Sequence, residues 1–183
     1  VAKALLVHGT TTIACDPHEI ANVMGVEGVK YIIESSEDTP LMTCVLAPSC
    51  VPSVEGLETS GASFTKKEIK EILEMDRVIG LGEVMDFNGV INQSKRMVDI
   101  LHEARNHNAF LQGHSPMLTG RKLSAYLSTG IKSCHETSFA DEARYKLRAG
   151  MTLECRESSI MHDVKELAPV IKEFNYPENA TLC

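Results

Sequence analysis

Residues 110–116 read FLQGHSP. The apolar run looks like a buried strand, yet it stops on His114, and Pro116 two places later removes a ladder donor and forbids further sheet pairing. A histidine at such a strand end is either a core residue with a satisfied ring or a metal ligand. The choice depends on what the neighbouring strands carry at the same level.

Short apolar runs of strand type recur along the chain at 10–15 (TTTIAC), 41–47 (LMTCVLA), 78–82 (VIGLG), 109–113 (AFLQG), 131–134 (IKSC) and 152–155 (TLEC), with a further one beginning at Thr181. They show little polar alternation, as expected of parallel strands covered on both faces. Segments of helical period separate them. TKKEIKEILEMD (65–76) carries a Thr65 to Glu68 capping box and an Ile69, Ile72, Leu73 stripe, ready to cover a sheet. QSKRMVDILHEARNH (93–107) repeats the logic with Met97, Ile100, Leu101 and Ala104. SFADEARYKLRAG (138–150) starts on Ser138 and stops at Gly150, a cap at each end. Further helices are expected over 20–35, where Gly25 and Gly28 interrupt the pattern, and over 119–128 and 159–174. Strict alternation of strand and helix predicts a parallel α/β fold, either a doubly wound open sheet or a (β/α)8 TIM-type barrel. No Pro, Gly or Ser-rich linker divides the chain, so residues 1–183 are read as one domain, and the irregular stretch 48–63 is long enough to be a functional loop.

Against that frame His114 has company. Glu83 follows VIGLG and His135 follows IKSC, so three consecutive strands end in a metal-ligand type. Successive parallel strands point the same way, and residues just past their C-terminal ends converge on one rim, where barrel enzymes place their chemistry. One carboxylate and two imidazoles in phase favour a divalent-metal site over three unrelated polar residues. The first strand ends in CDPHE, which adds Asp16, His18 and Glu19. Pro17 suits the first position of a helix, so Asp16 reads equally as an N-cap or as part of the site. His8, His102, His107 and His162 fall on helical segments and read as surface or packing residues, and Cys134 as a packing residue.

Composition narrows the partners. With 43% hydrophobic and 23% charged residues the chain has the make-up of a soluble globular protein. The net charge of −7 and the absence of a basic run argue against a nucleic-acid surface. Nothing approaches the roughly 18 consecutive apolar residues of a membrane span, and VAKALLVHG lacks the parts of a signal peptide. Six cysteines lie apart with no C-x-x-C pair, which fits reduced thiols and a cytoplasmic location better than a disulfide framework. The chain opens without Met on what reads as the last turns of a helix closed by Gly9, the mark of a fragment.

Five phrases carry a resemblance: HGTTTIACDPHEIANVMG (8–25), LAPSCVPSVEGLETSGA (46–62), VIGLGEVMDFNGVIN (78–92), GHSPMLTGRKLSAYLSTGIKSCHET (113–137) and LRAGMTLECRESS (147–159). In that order, and across essentially the whole chain, they resemble the adenine deaminases of the amidohydrolase superfamily. The resemblance implies a distorted (β/α)8 barrel of the metal-dependent hydrolase kind, truncated here at both ends. It also implies two divalent cations, manganese or iron with zinc as a further option, and hydrolysis of adenine to hypoxanthine and ammonia in purine salvage. By position Glu83 matches the carboxylate that bridges the metals, and His114 and His135 match ligands of the second metal. Asp16 and Glu19 match the acidic segment beside the purine, the candidate catalytic proton carriers. Glu157 and Ser158, within RESS (156–159), match the loop that borders the pocket. The family's His-x-His pair and its final aspartate have no counterpart between Val1 and Cys183. A homo-oligomer is the expected assembly. Rival readings are an amidohydrolase acting on another cyclic amide and a barrel fragment without turnover.

Overall fold

All residues, Val1–Cys183, are described by the computed structural model. Seven strands, β1 (Thr12–Cys15), β2 (Met42–Pro48), β3 (Val78–Val84), β4 (Phe110–Gly113), β5 (Ser133–Cys134), β6 (Thr152–Cys155) and β7 (Ala180–Leu182), pair in chain order, and every pairing is parallel. They form a four-stranded sheet β1-β2-β3-β4 and a three-stranded sheet β5-β6-β7. One backbone bond, Lys132 N–H to Leu111 O at 3.1 Å, bridges the seam between them. The order never reverses, so there is no topological switch point of the kind a doubly wound sheet has. Of the two architectures open to the sequence, the structure adopts the barrel type, as a curled partial barrel.

Helices α1 (Ala2–Val7), α2 (His18–Met24), α3 (Val26–Ser35), α4 (Lys66–Leu73), α5 (Phe87–Ile91), α6 (Lys95–Asn106), α7 (Gly120–Ser128), α8 (Ala140–Arg148) and α9 (Val164–Glu173) fill the connections. The apolar stripes read from the sequence are the buried faces: Ile69 and Ile72 on α4, and Met97, Ile100, Leu101 and Ala104 on α6. They join Val45, Ala47, Leu81 and Leu111 in the larger of two cores, while Ala143, Leu147, Leu153, Cys155, Leu167 and Val170 form a smaller one under β6. The capping box is present, with Glu68 Oε2 accepting from the Thr65 backbone at 2.8 Å and Thr65 Oγ1 accepting from Lys67 N–H at 3.2 Å.

Three local expectations are corrected, and one helix is added. The helix expected over 20–35 is two helices, because Gly25 takes φ +64° and turns the chain between them. Ser138 does not cap α8; the N-cap position is Phe139, which makes no side-chain bond. The last helix begins at Val164 rather than 159, since residues 157–162 form a loop closed by an isolated Glu157–His162 bridge, and His162 is therefore a loop residue. The short helix α5, capped by Asp86 accepting from Gly89 N–H at 2.7 Å, has no periodicity long enough to read. No helix is long and apolar enough to cross a membrane, and no disulfide joins the six cysteines.

Candidate metal centre

Glu83 occupies an unusual backbone position. The sequence places it after a strand ending at Gly82, but β3 continues to Val84 and shifts register between Leu81 and Val84. Glu83 sits in that irregularity with φ +27°, a left-handed value that a residue with a side chain adopts only when its surroundings hold it there. The holding groups are identifiable. Ser49 Oγ donates to the carbonyls of Gly82 and Glu83, both at 2.9 Å, and buried Tyr126 donates its hydroxyl to Val84 O at 2.7 Å. Side-chain hydroxyls thus add to the backbone bonds that the carbonyls of Gly82 and Glu83 already accept from Ser49 N–H and Met85 N–H, and the bulge re-aims the carboxylate.

Two imidazoles meet that carboxylate. His114 Nδ1 lies 3.1 Å and His135 Nε2 3.6 Å from the same oxygen, Glu83 Oε2, and the two rings stand edge to face with centroids 5.3 Å apart. Burial raises the Glu83 carboxyl, but hydrogen bonding from His114 and His135 and the charge of His18 outweigh it and hold the group well below the ordinary carboxylate range. For His135 burial works in the opposite sense to the Glu83 hydrogen bond, and the carboxylate prevails, raising the imidazole. All three side chains are about one-sixth exposed, reachable yet shielded. The structure brings together the three candidate ligands read from the strand ends.

Each ligand is locked from behind. Tyr126 accepts from His114 N–H at 3.0 Å, so one hydroxyl ties the ends of β3 and β4. Gly113 makes room for it: a side chain there would lie 2.9 Å from the Tyr126 oxygen and 2.4 Å from Ser133 O. Glu154 on β6 stands 3.7 Å from His135 Nδ1, an ion-pair approach beyond hydrogen-bond length, and accepts from Gln112 Nε2 at 3.3 Å, while His135 Nε2 faces Glu83. Below, fully buried Lys146 on α8 contacts Ser115 O at 2.8 Å, Cys134 Sγ at 3.2 Å, Thr137 Oγ1 at 2.9 Å and Glu142 Oε1 at 2.6 Å. Ser115 and Cys134 are the immediate chain neighbours of His114 and His135, so one ammonium clamps the two ligand-bearing strand ends. Cys134 is more than a packing residue, since its sulfur also faces the N–H groups of Ser115 and Glu136.

The other expected site residues are distributed unevenly. Asp16 is buried beside the centre, and it is not a helix cap: Pro17 holds the N-cap position of α2, and neither Asp16 oxygen has a hydrogen-bond partner. His18, named with Asp16 and Glu19 in CDPHE but given no role by the sequence, is the link, with Nδ1 3.4 Å from Asp16 Oδ1 and 3.8 Å from Glu83 Oε1. Asp16 raises the imidazole to about 9. Burial in turn pushes the Asp16 carboxyl up, against the opposing pull of His18. Glu19 is exposed, its carboxylate 3.6 Å from His18 Nε2. Glu157 pairs with His162 at 2.7 Å, and Ser158 Oγ accepts from Ile160 and Met161, so the side-chain hydrogen bonds of both stay within their own loop, while Glu157 N–H donates to Cys183 O at 3.2 Å. Arg156 roots that loop to the centre by binding both Asp163 and Glu136, the residue after His135.

Donor chemistry and geometry agree on a divalent cation. Two imidazole nitrogens and a carboxylate oxygen, all within 4.8 Å of one another at the C-terminal ends of adjacent parallel strands, match ligands that intermediate divalent metals accept. The profile of the Amidohydrolase family matches residues 1–180. The chain belongs to the amidohydrolase family. Its relatives include the adenine deaminases of Methanothrix thermoacetophila, 44% identical over 182 residues, and of Klebsiella pneumoniae strain 342, 47% identical over 157. The enzyme of that name from Oleidesulfovibrio alaskensis is 45% identical over 177 residues. These alignments cover 100%, 86% and 95% of this chain but 32%, 26% and 30% of the relatives, so the chain spans about a third or less of their length. Amidohydrolases are metal-dependent, and the partial barrel with its strand-end ligands fits that family.

Proposed function

We propose that this chain is the metal-binding part of an adenine deaminase, which hydrolyses adenine to hypoxanthine and ammonia. The observation that carries the reading is the convergence of Glu83, His114 and His135 on one point of the barrel rim, in a chain whose relatives bear that name.

Divalent cations held by these side chains supply Lewis acidity and lower the pKa of bound water from 15.7 to about 7. Manganese or iron is the proposed pair, with zinc as a further option, because mixed nitrogen and oxygen ligands suit them. Glu83 presents one oxygen to His114 and His135 and the other towards His18, so its two lone-pair faces look at opposite halves of the site. It is therefore the residue that the two cations would share, as the resemblance implies. Hydrolysis at C6 of the purine also needs a proton carried from water to the ring and the departing nitrogen, so that ammonia leaves rather than amide ion. Glu19 is the proposed carrier. It is solvent-accessible, it stands beside His18, and through His18 it connects to Asp16. Asp16 and Glu19 would contact the purine, with Glu157 and Ser158 at the pocket border. The proposed setting is purine salvage in the cytoplasm by a homo-oligomer.

Glu19→Gln in the intact protein tests the assignment. The expected outcome is unchanged metal content with a large fall in kcat for ammonia release from adenine. Wild-type turnover would remove Glu19 from the mechanism, and ring opening of a cyclic imide without adenine hydrolysis would replace the substrate.

A further inference from the structure

The loop from Ser49 to Phe64, between β2 and α4, reaches both halves of the site. At its start Ser49 Oγ donates to the carbonyls of Gly82 and Glu83, both at 2.9 Å, directly behind the ligand carboxylate. Its two limbs then grip Asn22 on α2, the helix that opens with His18 and Glu19. Asn22 Nδ2 donates to His18 O at 2.9 Å and to Cys50 O at 3.4 Å. On the other limb Ser60 Oγ donates to Asn22 Oδ1 at 2.9 Å, and Gly61 N–H donates to Asn22 O at 2.7 Å. Residue 61 has to be glycine for this approach, because a Cβ there would meet Val23 O at 2.8 Å and Asn22 O at 2.9 Å.

The loop is closed from outside by Arg96, the second residue of α6, which lies half-buried against it. Nη2 donates to the carbonyls of Ser49, Pro52 and Val51 at 2.9, 3.1 and 3.2 Å, and Nε donates to Phe64 O at 3.1 Å. The acceptors belong to the two ends of the loop, so one planar fork holds both, alongside the backbone bond from Phe64 N–H to Val51 O at 2.7 Å. Every oxygen bonded to the guanidinium is a main-chain carbonyl. The fold therefore uses the geometry of this side chain rather than an ion pair.

We infer that Arg96 is a positioning residue of the site. By stapling the ends of the 49–64 loop it sets Ser49 against the backbone of Glu83 and the Asn22 clamp against the start of α2, and so fixes the metal ligand relative to His18 and Glu19. The inference rests on the reading of Glu83 as a metal ligand and Glu19 as the proton carrier. Arg96 bonds to neither, so its effect passes through the loop. Lysine in its place would keep the charge and lose the fork, since an ammonium donates from one atom instead of two nitrogens held in a plane.

Amide hydrogen exchange on the intact, metal-free protein tests the inference. In Arg96→Lys the amides of Ser49, Gly61 and Met85, which bond to Gly82 O, Asn22 O and Glu83 O, should exchange about 10-fold faster or more, while those of Ala143 and Leu153 in the smaller core keep wild-type rates. Arg96→Gln, which also lacks the fork, gives the same readout should the lysine variant not fold. Manganese titration reads the consequence at the centre. The midpoint should rise about 10-fold in Arg96→Lys, with no further rise in Ser49→Ala/Arg96→Lys, because the two residues act along one path. Unchanged exchange at Gly61 and Met85, faster exchange at all five amides alike, or midpoint shifts that multiply in the double variant would overturn the inference. A wild type that takes up no manganese would overturn the metal reading alone, since the exchange rates are measured without metal.

Discussion

Glu83 does its work through its backbone as much as through its carboxylate. A φ of +27° is accompanied by hydroxyl bonds from Ser49 and Tyr126 to the carbonyls around it, and the side chain is turned towards His114 and His135. Glu83→Gln keeps the shape and removes the charge, so it should lower metal content, measured by elemental analysis of the purified protein, together with turnover. Ser49→Ala should leave the core intact and still weaken metal binding, because the carbonyls of Gly82 and Glu83 lose their hydroxyl donor and keep only backbone ones; a cobalt titration beside a urea melt separates the two effects. The three strand-end candidates that meet were legible in the sequence because each follows an apolar run in the same phase. The bulge was not, since VIGLGEV contains no residue that announces a register shift. His18 could be named in CDPHE but not its neighbour: only the closeness of β1 to β3 across β2 brings it to Glu83.

Among the elements, α8 shows how a local rule misleads. Glu142 and Lys146 stand four apart, a spacing that on most helices marks a solvent-exposed pair worth a few tenths of a kcal/mol. Here both are buried, and the pair braces the chain on either side of the metal ligands. Lys146→Met leaves Glu142 buried and unpaired and should cost about 3–5 kcal/mol in urea unfolding. Lys146→Met combined with Glu142→Leu should recover much of that stability without restoring metal affinity, since the ammonium that joins Ser115 O, Cys134 Sγ and Thr137 Oγ1 is gone. On α4 the sequence rule holds. Thr65→Ala should cost about 1 kcal/mol. Burial raises the Glu68 carboxyl and is the largest single influence, but the hydrogen bonds from Thr65 together prevail and place it below the ordinary glutamate value. Its contribution is therefore present above about pH 4.3, the unfolded value, and is lost as pH falls through the folded one. The stability gap between wild type and Glu68→Gln should close correspondingly in acid, as thermal melts across that range would show.

In the whole molecule, alternation of strand and helix without a G-x-G-x-x-G left two architectures open, and the strand order decided for the barrel. Helix periodicity placed the main core correctly because α4 and α6 are amphipathic over two turns or more. The seam between β4 and β5 was beyond the reach of pattern, as β5 is two residues long and contributes one bridging backbone bond. β1 pairs only with β2 and β7 only with β6, so the two ends of the arc present open edges. Expressed by itself, the chain should elute well above its mass of 20.1 kDa in sizing with light scattering, through association at those edges. The most direct measurement of the centre is a crystal structure of the intact, manganese-loaded protein with anomalous scattering. An ion within about 2.0–2.3 Å of His114 Nδ1, His135 Nε2 and a Glu83 oxygen is the expected result; anomalous density elsewhere, with those three side chains free of it, would contradict it.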